Sequence, residues 1–349
     1  MLTNGAGTVA SIPFSVLDLS PIGEGQSVSD ALEASRRMAV AAEALGYRRF
    51  WLAEHHGMPG IASAATALVI AHVGAATKTI RIGSGGIMLP NHSPMVIAEQ
   101  FGTLAALFPG RVDLGLGRAP GTDMRTAQAL RRNLESGAEN FPRDIQELQL
   151  LLGDVQPGQG LMAVPGAGSH VPVWLLGSSL YSAHLAAALG LPYAFASHFA
   201  PDQLFEAISV YRDRFQPSET LEKPYMIVGI MAALAQTEAM AAKLFTSAQQ
   251  QFINLRRNLR RPFPQPVDSM DGLWSEMERF GVEHTLQHAV VGTPSSVRPK
   301  LERFLLDTGA DELIISTAVH DVEARLNSLR LFAELRTDMS RLKVAETLG

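Results

Sequence analysis

Phe50-Trp51-Leu52-Ala53-Glu54-His55-His56-Gly57 is a short apolar run that ends in a carboxylate and two adjacent imidazoles. An uninterrupted apolar run of this length suits a strand buried on both faces, as in a parallel sheet covered by helices. Ionisable groups at the mouth of such a strand point to chemistry, because histidine exchanges a proton near neutral pH. Successive strand side chains point to opposite faces, so His55 and His56 are expected to aim apart. That argues against one ion bound by both, and places one histidine in a pocket with the other packed behind it.

The same rhythm recurs along the chain, with short β-type runs alternating with longer amphipathic helical patterns. Eight strand candidates fall at 12–18, 48–54, 80–85, 111–116, 171–176, 192–196, 225–231 and 312–316. Helix punctuation agrees. Ser27 three residues before Asp30 forms a capping-box pattern, Val28, Ala31, Leu32, Ala39, Ala42 and Leu45 share a face, and Gly46 stops the helix. Ser93-Pro94 opens a later helix and Phe108-Pro109-Gly110 closes it. Eight such units predict an α/β fold, a (β/α)8 TIM-type barrel whose functional residues stand at the C-terminal strand ends. An open doubly wound sheet is the alternative. Two spacings exceed a plain unit, Gly117 to His170 and Ala232 to Asp311, so insertions are expected after strands four and seven. The second holds Arg256-Arg257-Asn258-Leu259-Arg260-Arg261-Pro262-Phe263-Pro264, which reads as a solvated basic loop or as a lid over an anionic ligand. Residues 1–349 are taken as one domain.

Composition narrows the function classes. With 29 basic and 34 acidic residues and a formal net charge of -5, the chain lacks the polybasic footprint of a nucleic-acid or membrane-surface binder. The absence of cysteine excludes disulfides, thiolate metal sites and a cysteine nucleophile. The basic residues are 24 arginines and 5 lysines, a skew read as a GC-rich coding bias. No basic flank leads into an apolar segment within Met1 to Ser11, and the apolar run Ala62 to Ala76 is too short to span a bilayer. A cytoplasmic protein with no nucleic-acid or membrane partner is expected.

Three further strand ends carry chemistry. Strand three closes on Gly83-Ser84-Gly85-Gly86, where missing side chains let the backbone bulge or approach a flat ligand. Strand four runs into Gly115-Leu116-Gly117-Arg118, which sets a permanently charged guanidinium at a strand mouth, suited to phosphate or carboxylate. Strand five continues Gly177-Ser178-Ser179-Leu180-Tyr181-Ser182 into a helix predicted over 183–189. Free N–H groups at that helix start, with the three serine hydroxyls, form a phosphate cradle beside Arg118; ordinary serine capping explains the same letters. His72 and His184 fall mid-helix and are read as structural. His92, His198 and His320 follow strands three, six and eight, and His198 is favoured for the pocket.

Taken together, Ala53-Glu54-His55-His56, Gly83 to Leu89-Pro90, Gly110 to Arg118, Gly177-Ser178-Ser179 and Gly190-Leu191-Pro192 resemble the bacterial luciferase-like flavin monooxygenases. The resemblance runs from Ile12 to about Phe199 and resumes from Val291 to Ile315. The alkanal-monooxygenase-like oxidoreductases are the most similar subgroup, through Gly117-Arg118-Ala119-Pro120-Gly121-Thr122-Asp123. The resemblance implies the same barrel and an enzyme using reduced FMN, delivered by a separate NAD(P)H-dependent flavin reductase, together with O2. A flavin peroxide would then oxygenate a small aldehyde, ketone or aromatic substrate.

The resemblance also implies His55 as the catalytic histidine, with Glu54 and His56 as its supporting shell; Glu54 and the independently favoured His198 complete the candidate catalytic set. Gly85 and Gly86 match a bulge beneath the flavin ring, often with a cis peptide. Arg118, Gly177, Ser178, Ser179 and Ser182 match the flavin phosphate site. No metal is implied, and a homodimer is. Gly117 stands where a luciferase-type reactive cysteine would be, which argues against light emission. Three alternatives stand beside this reading. They are a deazaflavin-dependent oxidoreductase of the same fold, a metal-dependent barrel hydrolase built on Glu54, His55, His56 and His198, and a non-catalytic flavin-binding protein.

Overall fold

The computed structural model describes residues 12–119, 124–130 and 138–348. The first half runs β1 (Phe14–Asp18), α1 (Val28–Ala44), β2 (Arg49–Leu52), α2 (Thr66–Ala75), β3 (Arg81–Met88), α3 (Pro94–Leu107), β4 (Val112–Gly117), α4 (Met124–Leu130) and α5 (Phe141–Leu152). There follow β5 (Val173–Gly177), α6 (Leu180–Ala188), β6 (Tyr193–Phe195), α7 (Leu204–Asp213) and β7 (Met226–Leu234). The last part holds α8 (Glu238–Arg256), α9 (Glu276–Thr285), β8 (Val290–Gly292), α10 (Pro294–Thr308), β9 (Glu312–Ser316) and α11 (Val322–Leu348).

Strands β1 to β7 and β9 close into a ring of eight, β9 pairing with both β1 and β7, and every neighbouring pair is parallel. This is the expected TIM-type barrel, and the closure rules out an open doubly wound sheet. β8 lies outside the ring, pairing with Ala232–Leu234 at the extended end of β7. No helix among the described residues is long and apolar enough to cross a membrane.

Alternation along β2 builds two cores at once. Phe50 and Leu52 join the large outer cluster between barrel and helices. Trp51 and Ala53 point inward with Leu17, Trp174, Ala194, Ile227 and Ile314 to fill the barrel. Below them, at the N-terminal ends of the strands, sits a buried ion network. The Arg49 guanidinium donates to Glu312 at 2.7 and 3.0 Å and to Asp113 at 2.7 Å, and stacks 4.6 Å from the Trp174 ring centroid. Arg81 also binds Asp113, while Ser15 and Tyr225 donate to Glu312. Arg49 is 2 % exposed and Glu312 fully buried, so the network plugs the barrel floor.

Helix α1 starts with the expected capping box, Ser27 and Asp30 each accepting from the other's backbone N–H, and Gly46 follows it at φ 73°. Val28 departs from the predicted apolar face: at the first helical position it is 53 % exposed. Near the other end of α1, Glu43 accepts the N–H groups of Lys78, Thr79 and Ile80 and so fixes the turn into β3. Burial alone would raise its pKa, yet the three backbone donors outweigh this and bring it down to about 2. A depressed carboxylate pKa stabilises the fold above the ordinary value of 4.5 and loses that contribution as pH falls toward about 2. Glu43→Gln should therefore lower stability at pH 7 by about 1 kcal/mol, discounted for partial solvent exposure, and flatten the acid limb of the stability curve. Acid titration of both proteins, followed by circular dichroism, checks this; superimposable acid profiles would contradict it.

Both expected insertions are present, between β4 and β5 and between β7 and β9. In the second, α8 and α9 carry a strap across the C-terminal face of the barrel. Phe263 donates its N–H to the Ile22 carbonyl at 2.8 Å and accepts from Glu24 N–H at 2.9 Å, in the loop after β1. Ile22 in turn donates to Gly60, in the loop after β2. Two arginines of this stretch are not available to an anionic ligand: Arg256 binds the Gly281 carbonyl and Thr285, and Arg257 pairs with Glu278. The basic run is thus neither a plain solvated loop nor, at those positions, an anion clamp.

Candidate active site

Two residues beyond β2, Glu54 is 1 % exposed, and its Oε1 receives His56 Nε2 at 2.7 Å and His92 Nε2 at 2.8 Å. Its Oε2 accepts the Met88 N–H at 3.1 Å. Burial would raise its pKa, but the bonds from His92, His56 and Met88 outweigh this and hold it below the ordinary carboxylate range. Alternation has separated the two adjacent histidines as predicted. His56 turns to Glu54, whereas His55 lies close enough to His198 for its charge to act on that ring.

His198 follows β6 and stands over Gly229 of β7. A Cβ added at Gly229 would fall 2.4 Å from His198 Nδ1, so glycine is what admits the imidazole. Phe199 packs edge-on at 4.8 Å between ring centroids, and Nδ1 is enclosed without a hydrogen-bond partner among the described residues. Burial, then the nearby His55, lowers its pKa to about 4, so His198 is neutral at physiological pH.

The glycines after Ser84 do not end β3. The strand continues to Met88 through a register shift between Ser84 and Ile87, with a cis peptide at Gly85-Gly86. The local reason is space. A Cβ on Gly85 would meet Leu17 Cδ1 at 2.7 Å, and one on Gly86 would meet the Gly115 carbonyl at 2.7 Å. A side chain is therefore excluded at both positions, by the barrel interior at Gly85 and by the β4 backbone at Gly86.

Just beyond the neighbouring strand β4, Arg118 lies with its guanidinium 4.0 Å from the centroid of the Tyr181 ring, joining the end of β4 to the first turn of α6. Helix α6 starts three residues earlier than predicted, at Leu180, with Ser179 as its N-cap making no side-chain cap bond. Ser178 and Ser179 thus stay beside the first turn, whose Leu180 N–H donates to Gln203 Oε1 at 3.4 Å. Ser182 is 5 % exposed, donates to the Ser179 carbonyl at 2.8 Å, lies 2.9 Å from the Tyr193 hydroxyl, and sits against Gly177. Its hydroxyl is held within the turn by these contacts. Pro120 to Asp123, the rest of the strand-four motif, lie outside the described residues.

The structure thus joins Glu54 to His56 and His92, His55 to His198, and Arg118 to the α6 turn. Sequence reasoning missed the partnership of His92 with Glu54, and Tyr181 as cover for Arg118. The signal for His92 was its place directly after strand three; nothing marked Tyr181. His320 is held by the Glu24 carbonyl at 3.1 Å, beside the strap, and joins none of these groups.

With this geometry in hand, the chain was compared with known proteins. The family model described as luciferase-like monooxygenase matches residues 12–312. A luciferase-like monooxygenase of Escherichia coli K12 is 52 % identical over 95 % of this chain and 99 % of its own length. The N-acetyl-S-alkylcysteine monooxygenase of Bacillus subtilis is 36 % identical over 93 % of this chain and 98 % of its own. The crystal structure of apo-MsnO8 superposes with a TM-score of 0.83 at 34 % identity, covering 93 % of this chain and 98 % of the other. The fold alone is shared with an FMN complex of a type II Baeyer-Villiger monooxygenase at 17 % identity and TM-score 0.66. It is likewise shared with an F420-dependent secondary alcohol dehydrogenase at 15 % identity and TM-score 0.66. A closed eight-stranded barrel, ionisable strand ends after β2 and β6, and near full-length matches lead to one conclusion: this chain belongs to the luciferase-like monooxygenase family.

Proposed function

We propose that this protein is the oxygenating component of a two-component system, using reduced FMN from a separate NAD(P)H-dependent flavin reductase and acting as a homodimer. The observation that carries this reading is the meeting of Arg118, at the end of β4, with the first turn of α6, next to the Gly85-Gly86 backbone of the adjacent β3. An anionic group and a flat ring system are what those two features accommodate together. Arg118 and the α6 N–H groups would hold the phosphate, with Ser178 and Ser179 beside them. Reduced FMN, when bound, would supply two electrons, so that one atom of O2 enters the substrate and the other leaves as water.

The chain's own residues do the rest. His55 holds or donates a proton at the reacting oxygen, and neutral His198 beside it donates or accepts a hydrogen bond without adding charge. Glu54 is a positioning residue, its carboxylate committed to His56 and His92. The strap excludes water from the mouth. The substrate is a small organic molecule, an aldehyde, ketone or aromatic compound. The N-acetyl-S-alkylcysteine monooxygenase relative adds thioethers to the set worth testing.

Oxygen uptake with photoreduced FMN, measured with and without such a panel, tests the reading. Substrate-dependent uptake with oxygenated product supports it. Turnover with a reduced deazaflavin and no oxygen uptake would replace it with hydride transfer. Arg118→Ala should weaken reduced-FMN binding roughly 10- to 100-fold, the worth of one charge-assisted contact, and change turnover at saturating flavin much less. Unchanged flavin affinity would remove Arg118 from the site.

A further inference from the structure

Three carboxylates buried at the barrel ends have a guanidinium partner: Asp113 and Glu312 share Arg49, and Asp18 pairs with Arg325. Glu54 is different. It is as deeply buried, yet among the described residues its partners are two imidazoles, the Asn91 amide and a backbone N–H, with no lysine or arginine. A buried carboxylate without a permanent cation is costly unless positive charge is brought to it. The donor atoms around it also converge. One ring nitrogen each of His56 and His92 and a Glu54 oxygen all lie within 4.8 Å of one another, and both Nε2 atoms meet Glu54 Oε1, at 2.7 and 2.8 Å.

We propose that Glu54, His56 and His92 form a binding site for one divalent transition-metal ion of the Zn2+ or Co2+ class. Two imidazoles and one carboxylate suit a borderline metal and disfavour Mg2+ or Ca2+, which take oxygen shells. Bonds of about 2.0 to 2.1 Å in tetrahedral geometry set donor atoms about 3.4 Å apart, so each imidazole opens from its present contact by roughly half an ångström. The outer shell is in place, since the Met88 N–H fixes the far oxygen of Glu54 and thereby the direction of the near one. The His56 and His92 side chains are 14 % and 25 % exposed, which leaves water room to complete the coordination. His55 and His198 take no part, so this site differs from a chelate of the paired histidines and does not depend on the flavin reading.

The test uses the full chain, dialysed against chelator and titrated with Co2+ in the absence of flavin. One Co2+ per chain is expected, with the visible absorption of a four- or five-coordinate ion, displaced by Zn2+. His92→Gln should weaken binding at least about 100-fold, while His284→Gln, at a surface pair with Asp202, should not change it. His92→Cys supplies a check independent of folding losses. The natural chain has no cysteine, so a near-ultraviolet thiolate-to-cobalt band in that variant reports ligation at position 92. Failure to bind Co2+ at 1:1, equal binding by His92→Gln, or absence of that band would overturn the proposal and show a hydrogen-bonded cluster only.

Discussion

Arg49→Met is expected to lower the unfolding free energy by about 3 to 5 kcal/mol, because it strands buried carboxylates that the guanidinium now neutralises. Glu312 would keep the Ser15 and Tyr225 hydroxyls and only a distant Arg48, 3.7 Å away and half exposed. Asp113 would keep Arg81. The stacked faces of Trp174 and Trp51 would lose their cation at the same time. Arg49→Lys should fall between the two, since an ammonium preserves charge but not the fork that reaches both carboxylates. Urea unfolding followed by tryptophan fluorescence checks this, with Trp51 and Trp174 as reporters next to the lesion. A loss below about 1 kcal/mol for Arg49→Met would mean that the floor network is not what closes the barrel.

His55→Ala is the corresponding prediction for chemistry. On the proposed function it should reduce turnover by about 10²- to 10⁴-fold, the usual worth of a positioned acid or base, while flavin affinity changes only a few-fold. This is the reverse of the pattern expected for Arg118→Ala. The pair of variants separates holding from reacting. Single-turnover measurements with pre-bound reduced flavin give the rate without the binding step. Turnover within threefold of the natural protein would remove His55 from the chemistry and direct attention to His198.

The barrel was legible because its eight strands are mostly continuous apolar runs bounded by turn residues, a pattern that survives without tertiary information. β8 was not, because three residues paired only to the tail of β7 carry no periodicity. The continuation of β3 past Gly86 was hidden for a related reason: glycine reads as a stop, and only its neighbours Leu17, Trp51 and Gly115 show why it is a passage. The role of Arg49 left no local sign, since its partners Asp113 and Glu312 lie 64 and 263 residues away in sequence. At the site, local alternation correctly parted His55 from His56. The join of Glu54 to His92 spans 38 residues and two strand ends, so no spacing rule could give it. The earlier start of α6 places Ser182 within the helix, where its hydroxyl meets the Ser179 carbonyl and the Tyr193 hydroxyl, contacts that the sequence could not show.

At Phe263 the bonds of the strap to Ile22 and Glu24 run between peptide groups, and any residue other than proline at that position supplies the same N–H and carbonyl. Further along, side chains take over, the Gln265 N–H donating to the Glu24 carboxylate at 3.3 Å and the Val267 N–H to the Thr246 hydroxyl at 2.8 Å. The side chain at 263 can therefore change while the roof stays fastened, which makes that position a place to alter what the barrel admits without loosening its closure.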